Sequence, residues 1–143
     1  MKQLLVLFFL TSCAYPQKTR LYVEEPTKDK MAIVYLYRLD SSIDSLNPDI
    51  PRFFINDKLI GKLRLGGYYV NQVEPGDIKM IYKMSLFGIP LPWISGVVEF
   101  KAEPKERYCV KFDIATGMRI ESFKLVSHQQ CDQEIKSTVL LVN

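Results

Sequence analysis

His128 is the one histidine in 143 residues, so any imidazole chemistry has to be built on it. It stands in Ser127-His128-Gln129-Gln130-Cys131, a stretch read as a loop. A serine nucleophile needs a base within reach and a sharp strand-to-helix turn that presents its oxygen. Neither Ser95 nor Ser127 sits in a Gly-x-Ser-x-Gly elbow. Zinc needs three or four ligands, and His128 with Cys131 supplies two. Asp40, Asp44 and Asp49 gather oxygens in one polar segment, but their spacing is not that of a calcium loop and the closing glutamate is missing. Glu24, Glu25, Glu103 and Glu106 have nothing that brings them into one cleft as a paired acid and base. No glycine-rich phosphate cradle occurs. These residues assign no catalytic group, no metal ligand and no cofactor, and the expectation is a protein that is not an enzyme.

The chemistry the sequence does support is at its start. Lys2, the apolar run Leu4 to Leu10, and Thr11-Ser12 before Cys13 have the order of a secretory signal, and the run is too short to span a bilayer. Leu10-Thr11-Ser12-Cys13 resembles the lipobox of bacterial lipoproteins. The resemblance implies a signal peptide over residues 1–12, diacylglycerol transfer to the Cys13 thiol, cleavage before Cys13, and acylation of the new amine by a palmitate-type chain. Two or more chains at one site anchor stably, since each buried methylene contributes roughly 0.8 kcal/mol. Ala14 follows the cysteine where aspartate commonly marks retention in the inner membrane. The expected location is therefore the cell envelope, lipid-anchored, in the outer membrane and facing the periplasm.

Removal of residues 1–12 leaves enough chain for one domain and too little for two. A charged fraction of 24% is ordinary for a globular chain, and the lysines and arginines are scattered. Nucleic acid is not an expected partner. With Cys13 spent on lipid, Cys109 and Cys131 remain, and an even pair in an oxidising compartment bridges or stays as two buried thiols. In a strand from Arg107 to Ile114, Tyr108, Val110, Phe112 and Ile114 share one face, while Cys109, Lys111 and Asp113 share the other. A bridge to Cys131 would then pin the C-terminal segment over the outer face and close a loop of about 20 residues, worth roughly 3 kcal/mol.

The elements that would position these groups are strands. Residues 13–30 hold two prolines and mixed charge without an apolar period, and are read as lipidated cysteine plus tether, with a possible edge strand at Leu21 to Val23. Such a tether spans roughly 23 Å on average and about 55–60 Å fully extended. Residues 31–143 form one domain. Ala32 to Tyr37 is almost continuously apolar, as a strand covered on both faces requires. Arg52 to Ile55 and Leu59 to Leu63 flank the turn formers Asn56-Asp57, with a further bend at Gly61. Glu74-Pro75-Gly76-Asp77 is a turn, and Ile78, Met80 and Tyr82 alternate with Lys79, Ile81 and Lys83. Val97 to Lys101, Arg107 to Ile114, Arg119 to Val126 and Ile135 to Val142 complete about eight short strands, which form a sandwich or an open barrel.

Ala32-Ile33-Val34-Tyr35-Leu36-Tyr37-Arg38, Phe54-Ile55-Asn56-Asp57-Lys58-Leu59-Ile60-Gly61, Gly67-Tyr68-Tyr69 and Glu74-Pro75-Gly76 together resemble the lipoprotein-associated domain of unknown function DUF2846, over about residues 31–115. Asp57 stands where that family often has glycine, and Gly67 departs from its usual order before tyrosine. The resemblance implies an all-β, immunoglobulin-like or PEGA-like antiparallel sandwich, and it brings no activity. One segment departs from expectation: residues 84–96, read as a connection between strands, carry much apolar surface. It either caps one end of the sandwich or displays a patch, with Phe87, Leu91 and Trp93 as candidate partner-binding residues. The functional expectation is a structural or protein-interaction module with an envelope protein partner. The alternative is an envelope glycan or peptidoglycan binder that stacks sugars on Trp93, Tyr68 and Tyr69.

Overall fold

The computed structural model describes residues 20–21, 28, 30–40, 50–86, 89–115 and 119–141. The expected signal peptide, Cys13, most of the tether, Asp44, Asp49 and Phe87 lie outside the described residues. The strands are β1 (Arg20–Leu21), β2 (Ala32–Tyr37), β3 (Arg52–Ile55), β4 (Lys58–Lys62), β5 (Gly67–Val73), β6 (Gly76–Leu86), β7 (Ile89–Ala102), β8 (Arg107–Ala115), β9 (Arg119–Val126) and β10 (Val139–Leu140). One helix, α1 (His128–Glu134), runs into a 3-10 turn, Ile135–Ser137. Two sheets form an all-β sandwich: a six-stranded sheet in the order β1-β10-β5-β2-β8-β9 and a four-stranded sheet in the order β4-β3-β6-β7.

The turn chemistry acts where the residue types require. Asn56 and Asp57 both take positive φ (46° and 65°), the type I′ geometry that matches strand twist in a two-residue hairpin. The β3–β4 register slips at Phe53/Phe54 beside Gly61, whose φ is 150°. Between the sheets, Ile78, Met80, Tyr82 and Met84 of β6 meet Val34, Leu36, Val110 and Phe112 of β2 and β8. Phe53 centres this core, with its ring 4.9 Å from Phe112 and 5.8 Å from Phe123. Buried Arg38, just beyond β2, places its guanidinium carbon 5.9 Å from the Phe112 ring centre.

Cys109 faces away from that core, as the alternation in β8 requires. A second buried cluster lies on the outer face of the six-stranded sheet: Ile33, Tyr35, Tyr37, Tyr68 and Cys109 beneath Cys131 and Ile135. The Cys109–Cys131 disulfide is formed, with Cα atoms 6.1 Å apart. It ties α1 across the sheet.

Three expectations are corrected. The sandwich is not wholly antiparallel: β2 pairs parallel to β8, and β10 parallel to β5, because the chain leaves for the other sheet between these strands. Residues 84–86 and 89–96 are strand rather than loop. They are the outer part of the β6–β7 hairpin, where Met84↔Leu91 and Lys83↔Ser95 leave Pro92, Trp93 and Ile94 as a bulge. The segment from His128 to Ser137 is helical rather than a loop, and the strand expected at Ile135 to Val142 is confined to Val139–Leu140 among the described residues. The edge strand expected in the tether at Leu21 to Val23 occurs at Arg20–Leu21, which pairs with Leu140–Val139.

Candidate functional site

Two places could act on something outside the domain. The first is the polar seam under α1. Glu134 ends the helix with one carboxylate oxygen accepting from the Tyr37 hydroxyl at 2.5 Å and the other taking Lys111 Nζ at 2.9 Å and Gln130 Nε2 at 3.1 Å. Lys111 also meets Asp113 at 3.3 Å, and Arg107 meets Asp132 at 2.9 Å. Burial drives the Tyr37 hydroxyl well above its ordinary range, and the bond to Glu134 adds to this. For Glu134, burial favours the neutral acid, but the bonds from Tyr37, Lys111 and Gln130 outweigh it and lower the pKa. Burial opposes the Lys111 ammonium, yet its bonds to Glu134 and Asp113 prevail and raise the pKa. Together these bonds dock α1 on the sheet.

The sign of the pH dependence follows. A depressed Glu134 contributes stability above its ordinary value of 4.5, and this is lost as pH falls through the folded-state pKa. A raised Lys111 contributes below 10.5 and loses its contribution at higher pH. Glu134→Gln is therefore expected to destabilise by about 2 kcal/mol near neutrality, a typical loss for hydrogen bonds to a charged group. It should also flatten the acid limb of thermal stability measured against pH. An unchanged acid limb would assign that limb to other carboxylates.

His128 begins α1, donating Nε2–H to the Arg107 carbonyl at 2.7 Å. Ser127 caps the helix by accepting from the Gln130 amide at 3.2 Å. Both hold α1 in place. Among the described residues no three His, Cys, Asp or Glu side chains converge as a metal site would require. Glu103 and Glu106 are exposed around the β7–β8 turn.

The second place is the outer face of the four-stranded sheet. Cross-strand register puts Leu59, Phe54, Ile81 and Val97 in one row over all four strands. Leu59 and Val97 are exposed, and Phe54 and Ile81 are half-buried. The next row towards the hairpin tip is Lys62, Arg52, Lys83 and Ser95. Lys83 Nζ lies 4.8 Å from the Phe54 ring centre, a cation–π contact. On the opposite side of the apolar row, Lys79 pairs with Glu99 at 3.6 Å. Beyond the basic row, Trp93 is 76% exposed and Ile89 68% exposed.

Of the expected partner-binding residues, Trp93 is displayed, Leu91 packs partly against the core, and Phe87 lies outside the described residues. Tyr68 and Tyr69, expected as sugar platforms, are 2% and 7% exposed and cannot stack on a glycan. Their burial follows from β5, a strand covered on both faces at that end. The two rows were missed in the sequence because they exist only once four strands are paired. Comparison with protein-family models, with curated proteins and with solved structures finds no match for this chain.

Proposed function

We propose that this chain is a lipid-anchored, non-enzymatic module of the bacterial cell envelope, held through Cys13 in the outer membrane on the periplasmic side. Its task is to bind an envelope protein through the outer face of the four-stranded sheet. The lipobox-like Leu10-Thr11-Ser12-Cys13 supports the anchor, and a disulfide suits an oxidising compartment. The observation that carries the binding reading is the row Leu59–Phe54–Ile81–Val97. A solvated sheet face alternates polar groups outward, whereas here one apolar stripe crosses every strand. It has the form of a contact centre with a charged rim.

A photocrosslinking residue in place of Val97, in the full-length protein made in its own host, is expected to trap one discrete protein adduct. Leu59→Lys should remove that adduct, since a charge placed in an apolar contact is left desolvated. The same probe at exposed Lys136, beyond α1, is the control. Identical adducts from both positions, or none at Val97, would overturn the reading. The intact mass of the membrane-extracted protein tests the anchor: residues 13–143 with acyl chains support it, and an unlipidated mass overturns it.

A further inference from the structure

The end of the sandwich that carries the hairpin tip is also the end at which β1 pairs, within reach of the anchor. Ala32 at the start of β2 lies opposite Val73, and Ile33 opposite Arg107. The turns that carry the chain between the sheets, from β5 to β6 and from β7 to β8, therefore sit at that end. The β6–β7 tip points to the other end, where Tyr37, Tyr68, Leu140 and Arg20 pair across the sheet. Cys13 stands seven residues before Arg20, so it can be no further than about 25 Å from it.

The charges at this end are arranged for an anionic surface. Lys62 closes β4 and Arg52 opens β3, so with Lys83 they form the last row of the sheet before the hairpin projects alone. Exposed Arg64 follows, in the link to β5. Among the described residues no acidic side chain pairs with Lys62, Arg52 or Lys83. Asp40, beside Gly66, offsets part of this charge. Past the row come the exposed side chains of Trp93 and Ile89. Tryptophan prefers the membrane–water boundary, and basic groups gain most at the level of anionic phosphates.

We propose that the tip of the β6–β7 hairpin docks the domain upright on an anionic phospholipid bilayer, with Trp93 and Ile89 in the interface and Lys62, Arg52 and Lys83 at the phosphates. The strand register sets the depths. Ile89 pairs with Leu86, three positions past Lys83, so it stands about 10 Å ahead of the basic row, while the bulge keeps the Trp93 backbone within about 3 Å of that row, at headgroup level. The Val97 row stands about 7 Å behind the basic row, on the side away from the bilayer and open to a protein. The anchor reading supplies the nearby membrane, and a short link keeps the tip at high local concentration there. The docking surface itself does not depend on lipidation.

The test uses the mature chain, residues 13–143, carrying Cys13→Ser, which has neither the apolar leader nor a thiol to acylate at that position, and vesicles of phosphatidylglycerol and phosphatidylcholine in equal parts. Trp93 is the one tryptophan, so its emission reports the tip directly. Emission should shift to the blue on these vesicles and stay unshifted on pure phosphatidylcholine. Each of Lys62→Gln, Arg52→Gln and Lys83→Gln should weaken cosedimentation about fivefold, and added salt should act in the same direction. These side chains are exposed, and far-ultraviolet circular dichroism checks that each variant is folded. Equal binding to both vesicle types, or a triple variant that binds like the parent, would overturn the proposal. A blue shift with soluble polyphosphate but not with vesicles would overturn it too, assigning the row to a polymeric anion. Failed docking leaves the Cys13 mass unchanged, whereas an unlipidated mass leaves the vesicle result standing, so the two readings fail separately.

Discussion

Phe53→Ala is expected to cost about 3–5 kcal/mol, the largest single-residue effect in this domain. The Phe53 ring is fully buried and belongs to the four-stranded sheet, yet two of its neighbours, Phe112 and Phe123, come from the other sheet. Phe112 meets it nearly edge-on, at an interplanar angle of 83°, an arrangement that adds electrostatic attraction to area burial. Tyr82 completes the group, 5.1 Å from both Phe112 and Phe123. Truncation would leave a void between two sheets whose separation is fixed by every other inward side chain, so relaxation can fill little of it. A total stability of about 5–15 kcal/mol is ordinary for a domain, and this loss is a large share of it. The measurement is urea unfolding followed by circular dichroism, with Phe54→Ala beside it. Phe54 is the next residue but lies half-buried on the outer face, and its removal should cost about 1 kcal/mol or less. Similar costs for the two would mean that the inward and outward faces of β3 had been misassigned.

The parts of this fold that rest on local chemistry were legible before any pairing was known. Six apolar residues from Ala32 marked a strand buried on both faces, and alternation through Arg107 to Ile114 placed Cys109 on the face opposite Phe112. Asn56-Asp57 marked a tight hairpin because those residue types accept positive φ. What was lost had competing local signals. Pro90 and Pro92 read as loop punctuation, yet β7 is an edge strand, where a missing amide hydrogen need not break a ladder. Helix α1 is seven residues long, too short for a 3.6-residue period to stand out. Its signature was nevertheless present: Ser127 and Gln130 have capping-box spacing, and Cys131 and Ile135, four apart, share the face that packs on the sheet. The surface rows had no local signal at all. Lys62, Arg52 and Lys83 are spread over 32 residues, and only the register of three strands aligns them.

Replacing Cys109 and Cys131 together by alanine should lower stability by about 3 kcal/mol, equivalent to roughly 10 °C in Tm for a domain of this size. The bridge spans 22 positions, and in the chain-entropy account most of its effect is the freedom it removes from the unfolded chain. Its position adds a local consequence. Both sulfurs are buried in the outer cluster, which is separate from the aromatic core around Phe53. Without the bridge, α1 is held by Ile135, by the Glu134 bonds to Tyr37 and Lys111, and by His128 on the Arg107 carbonyl. A seven-residue helix has little stability of its own, so opening of α1 should become easier than opening of the sandwich. Hydrogen exchange should therefore show protection lost first in α1, while the β6 amides retain rates set by global unfolding. Adding Glu134→Gln to the cysteine pair should cost more than the sum of the two changes, because each latch then loses the other's support. Uniform loss of protection across both sheets would instead mean that the two clusters fold as one unit, with α1 an integral layer of the sandwich.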